Sequence, residues 1–324
     1  MSAATVSAAA ATPAIALVVC TRDRAHHLPP ALEAYAALDA GAAWELVLVD
    51  NGSRDETPAL LADFARRAAF PVTLVHEPRA GLARARNAGV RATRAPLLAF
   101  TDDDCYPAPD YLARWRAVLA DPAVGFGAGR ILLHDPDDYP ITIRTETERV
   151  ALPPGTFVVP GLVQGANVAY RRRVFEAIGG FDPALGPGGL FNFEDLDMAT
   201  RALAAGFAGG YFPEPVVRHH HRRRAGPSVD ALKRSYDGGR GAYYASLLLR
   251  PGMRGAMLRH WLRSWRWLTA DAVAREVAAG GRYLGYRLRR TAGRTERPPT
   301  IAPPADDAPA TTAGRSPDRP ADAC

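Results

Sequence analysis

Asp102, Asp103 and Asp104 stand side by side at the end of an apolar run. Three adjacent carboxylates repel one another unless a cation neutralises them. A Mg2+ or Mn2+ ion, held by one or two carboxylates together with phosphate oxygens, is the usual solution. In an extended chain Asp102 and Asp104 point the same way, although a solvated acidic loop would explain the run without chemistry. A second acidic run, Glu194-Asp195-Leu196-Asp197, carries Arg201 one turn further on. An i,i+4 ion pair explains Asp197 and Arg201, and acids in a first turn suit the helix dipole; Asp195 is less well explained in this way. Gly186-Pro187-Gly188-Gly189, just before it, reads as a flexible approach that lets a carboxylate meet a substrate. A third group, His219-His220-His221, follows the apolar pair Val216-Val217. Neutral imidazole ligates Mn2+-like ions, yet beside the arginines at 222–224 the same cluster reads as a basic surface patch.

The elements that must position these groups alternate between two periods. Residues 15–20, 44–50, 72–76 and 97–102 read as strands separated by helical segments, the pattern of a mostly parallel α/β sheet. Ser53 and Glu56 have capping-box spacing, which predicts a helix from there to about residue 68. Ligands of such sheets bind beyond the carboxyl ends of the strands, so Thr21, Asp50 and the acids at 102–104 fall on one rim. Further helices are expected at 172–178 and 194–205, the second ending at Gly206, with a short strand leading into the histidines. Beyond Pro227 the chain turns to arginine- and aromatic-rich helices, expected at 228–249 and 253–290 and broken at Pro251-Gly252. From residue 291 Pro, Ala, Asp and Thr dominate, which predicts a disordered, dispensable tail. Residues 1–13 read as a frayed leader.

Composition narrows the classes. Of 324 residues, 48% are hydrophobic and 23% charged, which excludes wholesale disorder and fibrous architectures. Cys20, Cys105 and Cys324 are scattered and odd in number, which argues against a disulfide scaffold and for a reducing cytoplasm. The net charge of +6 comes from 40 basic residues, all arginine except Lys233. No stretch reaches the roughly 18–20 apolar residues that span a bilayer.

Taken in order, these pieces resemble the family 2 glycosyltransferases of the GT-A fold. The likeness runs from residue 14 to 222 through Val18-Val19-Cys20-Thr21-Arg22-Asp23-Arg24, Val49-Asp50-Asn51-Gly52-Ser53 and Gly81-Leu82-Ala83-Arg84-Ala85-Arg86-Asn87-Ala88-Gly89. It continues through the three aspartates, Gly165-Ala166-Asn167, Gly179-Gly180-Phe181-Asp182, Glu194-Asp195-Leu196-Asp197 and Val216-Val217-Arg218-His219. The resemblance implies a GT-A-type α/β fold over 14–226, with a nucleotide-binding half at 14–104 and an acceptor-binding half at 105–226. A helical extension at 227–290 and the tail at 291–324 follow. By the same resemblance Thr21, Asp50, Arg84, Asp102 and Asp103 contact the nucleotide, while Asp102, Asp104 and His219 hold Mn2+ or Mg2+. Asp195, with Glu194 beside it, takes the proton from an acceptor hydroxyl. The implied reaction is inverting transfer from a nucleotide-diphosphate sugar, UDP- or dTDP-linked by preference, to a glycan, lipid-linked or small-molecule acceptor.

Three other readings compete. A D-x-D phosphohydrolase would normally carry its motif on the first strand, whereas three strands precede it here. A nucleotidyltransferase of similar fold would need a glycine-rich, lysine-bearing phosphate loop near the N-terminus, and none is present. Nucleic-acid binding, a non-enzymatic reading, rests on charge and on the arginine- and tryptophan-bearing helix and is not expected. The arginines and tryptophans of 253–290 suit an interfacial helix on an anionic membrane, at the inner face of the cell membrane. They suit equally a helix that packs its tryptophans on the catalytic domain.

Overall fold

The computed structural model describes residues 12–291 and 298–301. Strands β1 (Ile15–Thr21), β2 (Trp44–Asp50), β3 (Val72–His76) and β4 (Leu97–Asp102) pair in parallel in the order β3-β2-β1-β4. Helices α1 (Pro29–Ala36), α2 (Thr57–Arg67) and α3 (Leu82–Arg91) connect them. Then follow β5 (Cys105–Pro107), α4 (Tyr111–Val118), β6 (Val124–Leu133), β7 (Val150–Leu152), β8 (Asn167–Arg171), α5 (Arg172–Ile178), α6 (Glu194–Ala204) and β9 (Ala208–His219). These strands extend the same sheet through β4-β8-β6-β9-β5, with β8 antiparallel to β4 and β7 beside β9. Period-2 alternation sends Ile15, Leu17 and Val19 into one core layer and Ala16 and Val18 into the other.

Four local expectations change. The capping box does not form. Ser53 Oγ accepts the Asp23 amide, and α2 starts only at Thr57, whose amide is held by Asp55. The intervening residues fold into the rim, because the Ser53 amide donates to Asp50. The short strand before the histidines is really the 12-residue β9. Its prolines, Pro213 and Pro215, fall where the β6 register jumps from Ala128↔Tyr211 to Arg130↔Val216, so a bulge absorbs residues that cannot donate to the ladder. Helix α6 does end before Gly206, which takes φ +92 as the left-handed closing residue.

The extension comprises α7 (Pro227–Leu248), α8 (Pro251–Ser264) and α9 (Ala270–Thr291). The single helix expected over 253–290 is divided by a 3-10 turn at Trp265–Trp267. A straight helix would leave Ala279, Tyr283 and Tyr286 in water; doubling back buries all three. The fully buried Glu276 on α9 locks the return by accepting from Arg240 of α7 and from Trp261 Nε1 of α8 at 2.6 Å. The tail expectation also needs correction. Ile301 is 1% exposed and belongs to the main core, and the Pro299 carbonyl accepts the Gly180 amide at 2.9 Å. The rest of the expected tail, and residues 1–11 of the leader, lie outside the described residues.

Candidate active site

The carboxyl ends of β1 and β4 meet an open cleft of about 940 Å3. Register alone places Thr21 beside Asp50 and Cys20 beside Asp102. Strand β4 ends at Asp102, so Asp103 and Asp104 turn instead of continuing an extended D-x-D. The three acids therefore part company, though all face the cleft. Asp102 accepts from Arg86 at 3.2 Å. Asp103 accepts the Thr21 hydroxyl at 2.6 Å and lies 3.4 Å from Arg24 Nε. Asp104 meets Arg24 Nη2 at 3.0 Å and His219 Nε2 at 3.3 Å. The last contact follows from pairing, since the β5–β9 ladder sets His219 opposite Cys105, one residue from Asp104.

Electrostatics separates the same neighbours. Burial pushes Asp103 up to about 7 against the pull of Arg24. Burial would raise Asp104 too, but the hydrogen bond and charge of His219, with Arg24, hold it at about 2. His219 in turn is raised: Asp104 outweighs the burial that would lower it. Burial drives the Cys105 thiol well above its ordinary range, which keeps it protonated beside these two.

Across the cleft, the first turn of α6 presents the second acidic run. Asp195 Oδ2 accepts the Gly165 amide at 2.9 Å and Oδ1 accepts the Leu196 amide at 2.8 Å. Burial raises its pKa, although both amides and the Arg86 charge oppose the rise. Glu194 is ion-paired with Arg86 at 3.1 Å, and burial raises it as well. Asp197 pairs with Arg201 at 2.7 Å, the i,i+4 contact expected from spacing. The glycine-rich approach is a hydrogen-bonded turn: Pro187 O accepts the Leu82 amide, and the Gly186 amide donates to Phe191 O.

Other expected site residues lie differently. Asp50 reaches the rim, but its carboxylate is engaged by His76 Nδ1 at 2.9 Å and by the Ser53 amide at 3.0 Å; Asn51 lines the cleft in its place. Arg84 is two residues from Arg86, so about 100° per residue turns it to the opposite face of α3. There it borders a smaller cavity of about 370 Å3 with Pro183, Leu190 and Tyr286. Of the histidines only His219 enters the cleft. His220 bonds Tyr106 and stacks on His134, while His221 bonds Tyr139 O. Sequence reasoning left Arg24, Arg86 and Gly165 without roles. Arg86 carried a readable signal, because Ala83 and Gly89, three residues to either side, mark the buried face of α3.

A sheet of this order, with acids at the end of its fourth strand and at the start of a helix facing it, defines the GT-A-type glycosyltransferase fold. The chain belongs to glycosyl transferase family 2, whose sequence model matches residues 16–179, just over half of its length. It is 25% identical over 211 residues to glycosyltransferase AglE of Haloferax volcanii, a match covering 65% of this chain and 66% of that protein. It is 30% identical over 185 residues to the pre-mycofactocin glycosyltransferase of Mycobacterium tuberculosis, covering 55% of this chain but 37% of that one. Among solved structures, the mannosyltransferase PcManGT of Pyrobaculum calidifontis, in complex with GDP-Man and Mn2+, superposes with a TM-score of 0.61. That match has 22% identity and covers 87% of this chain and 80% of that one.

Proposed function

We propose that the protein transfers a sugar from a nucleotide-diphosphate donor to an acceptor hydroxyl in one inverting displacement. The observation that carries this reading is Asp195, a half-buried carboxylate fixed by two backbone amides and facing Asp102 and Asp104 across one cleft. Asp195 takes the acceptor hydroxyl proton as that oxygen forms its bond to the anomeric carbon. The bond from that carbon to the diphosphate breaks on the opposite side, and the diphosphate leaves with the electron pair. General-base assistance of this kind contributes about 10² to 10⁴ in rate.

The residues present fit a divalent cation. Asp104 and His219 offer hard oxygen and imidazole ligands within 4.8 Å of each other, and the Arg24 guanidinium already sits against Asp103 and Asp104 as a cation would. Asp102, Asp104 and His219 would hold Mn2+ or Mg2+, which would supply positive charge to the departing diphosphate. Thr21, Asp103 and the rim residues Asp50 and Asn51 serve the nucleoside. A UDP or dTDP donor is preferred in this reading, and a panel of nucleotide sugars that includes a GDP-sugar decides the base. The test of the reaction is proton NMR of the first product from an α-linked donor. A β-linked product is expected, and initial accumulation of the α-glycoside would overturn both the mechanism and the role of Asp195.

The extension supports peripheral attachment to an anionic membrane in the same reading. Among the described residues no helix is long and apolar enough to cross one. Leu262 is 59% exposed and Trp267 83%, amid exposed Arg259, Arg263 and Arg266. Aromatic and cationic side chains together suit the headgroup layer. Trp261, by contrast, is spent on packing against Tyr244 and bonding Glu276. Sedimentation with phosphatidylglycerol vesicles should fall for the Trp267→Ala and Arg263→Glu double variant. Equal sedimentation would remove this attachment.

A further inference from the structure

Arg86 is 2% exposed, and a guanidinium so buried is costly unless its donors find acceptors. It finds three, on three different elements. Nη1 donates to Glu194 on α6 at 3.1 Å, and Nη2 donates to Asp102 on β4 at 3.2 Å and to the Gly165 carbonyl at 3.1 Å. The ring of Phe181 lies 5.6 Å from its centre. Gly165 is the shared partner, because its own amide donates to Asp195. The segment is anchored from below by Thr101, whose hydroxyl donates to Ala166 O at 2.8 Å. A Cβ on Gly165 would stand 2.7 Å from Arg86 Nη2 and 2.8 Å from Nη1, so only glycine lets the guanidinium approach this closely.

We infer that Arg86 and Gly165 form a positioning relay in which the buried guanidinium, through Gly165, sets the orientation of Asp195 and, by pairing with Glu194, assigns the base role to Asp195. This rests on Asp195 being the base proposed above. Arg86 does not reach the acceptor itself; it acts through the groups it holds. A lysine keeps the charge but has no planar fork, so it cannot serve three acceptors in fixed directions. Alanine at 165 keeps the arginine side chain in the protein but pushes its guanidinium back from Gly165.

The test is a set of cycles with Arg86→Lys, Gly165→Ala and Asp195→Asn, read as kcat and donor KM with Mn2+ present. Misplacing a reacting group by about an ångström costs on the order of 10²-fold, so Arg86→Lys and Gly165→Ala should each lower kcat by about tenfold or more. Donor KM should change less than about threefold, and neither change should lower kcat further once Asp195 is Asn, because groups acting as one unit are not additive. Calorimetric UDP binding with Mn2+ and thermal melting report folding, and Gly165→Ala, which removes no charge, carries the test if the lysine variant does not fold. Effects that multiply in the Asp195→Asn background would overturn the relay, as would a loss confined to donor KM, which would place Arg86 in the service of Asp102. Failure of the base reading looks different: Asp195→Asn alone would then keep its kcat.

Discussion

Two acidic clusters face each other across the cleft; Glu194 and Asp197 of the second are paired with arginines much as the first cluster is, but Asp195 between them is held by different means. The acids at 102–104 meet cationic or hydrogen-bonding side chains: Arg86 on the first, Arg24 on the second and third, and the His219 imidazole on the third. Among the described residues Asp195 touches no cation directly; its oxygens are held by the amides of Gly165 and Leu196. Cationic partners favour an ionised carboxylate, which wins at Asp104, while at Asp103 burial outweighs Arg24. Asp195, half-buried and held by amide dipoles, keeps its orientation, and desolvation raises its proton affinity against the pull of those amides. In the proposed reading the first cluster serves a cation and Asp195 a proton.

The largest effect that sharpens this contrast is expected at Asp195. Asp195→Asn should lower kcat by at least about 10², the low end of general-base effects, while UDP binding with Mn2+ stays within a few-fold of the parent. If the loss lay in donor binding instead, the two clusters would share one role. Next comes metal removal. In EDTA, calorimetric UDP affinity should fall by about tenfold or more, because the diphosphate then faces uncompensated acids; equal affinity would remove the cation from the first cluster.

A smaller effect is expected in the pH profile. Asp195 must be ionised to accept a proton, and burial raises its pKa, so kcat/KM should fall as pH drops through a value above the ordinary carboxylate range. The Asp195→Asn enzyme should lose that limb in its residual activity. An acid limb at an ordinary aspartate position would mean that the base is solvated.

The smallest effect concerns stability. Burying an isoleucine is worth about 2 kcal/mol, which corresponds to roughly 4–8 °C in a domain of this size. Truncation before Pro298 should therefore lower the melting temperature by several degrees, whereas truncation after Ile301 should leave it within about two. Equal melting of the two truncated chains would show that Ile301 contributes nothing to the core.

Much of the fold was written locally. The four parallel strands lie where the apolar runs put them; β1, β2 and β4 are largely buried on both faces and so apolar nearly throughout, while β3 at the sheet edge is only partly covered. Helix α6 stops where Gly206 allows the left-handed turn. The acids at 102–104 and at 194–197 were legible for a related reason: clustered charge beside apolar strands and helix starts is costly unless it is used. What the chain could not show locally depended on contacts distant in sequence. Ser53 caps nothing because Asp23, 30 residues earlier, claims its hydroxyl. The helix expected over 253–290 folds back because Glu276 meets Arg240 and Trp261, and Ile301 is ordered by Gly180 and the core behind it.

The site divides in the same way. Residue types along the chain determined that acids, a metal-capable histidine and a base candidate were present. Tertiary structure alone decided that His219, not its neighbours, meets Asp104, and that Arg84 turns away where Arg86 turns in. It also decided that Arg86, besides meeting Asp102, meets Glu194, 108 residues further along the chain. Hydrophobic periodicity and turn chemistry are properties of short segments, and a sequence displays them directly. The pairing of buried charges is a property of distance in space, which exists only once the sheet has brought its strand ends together.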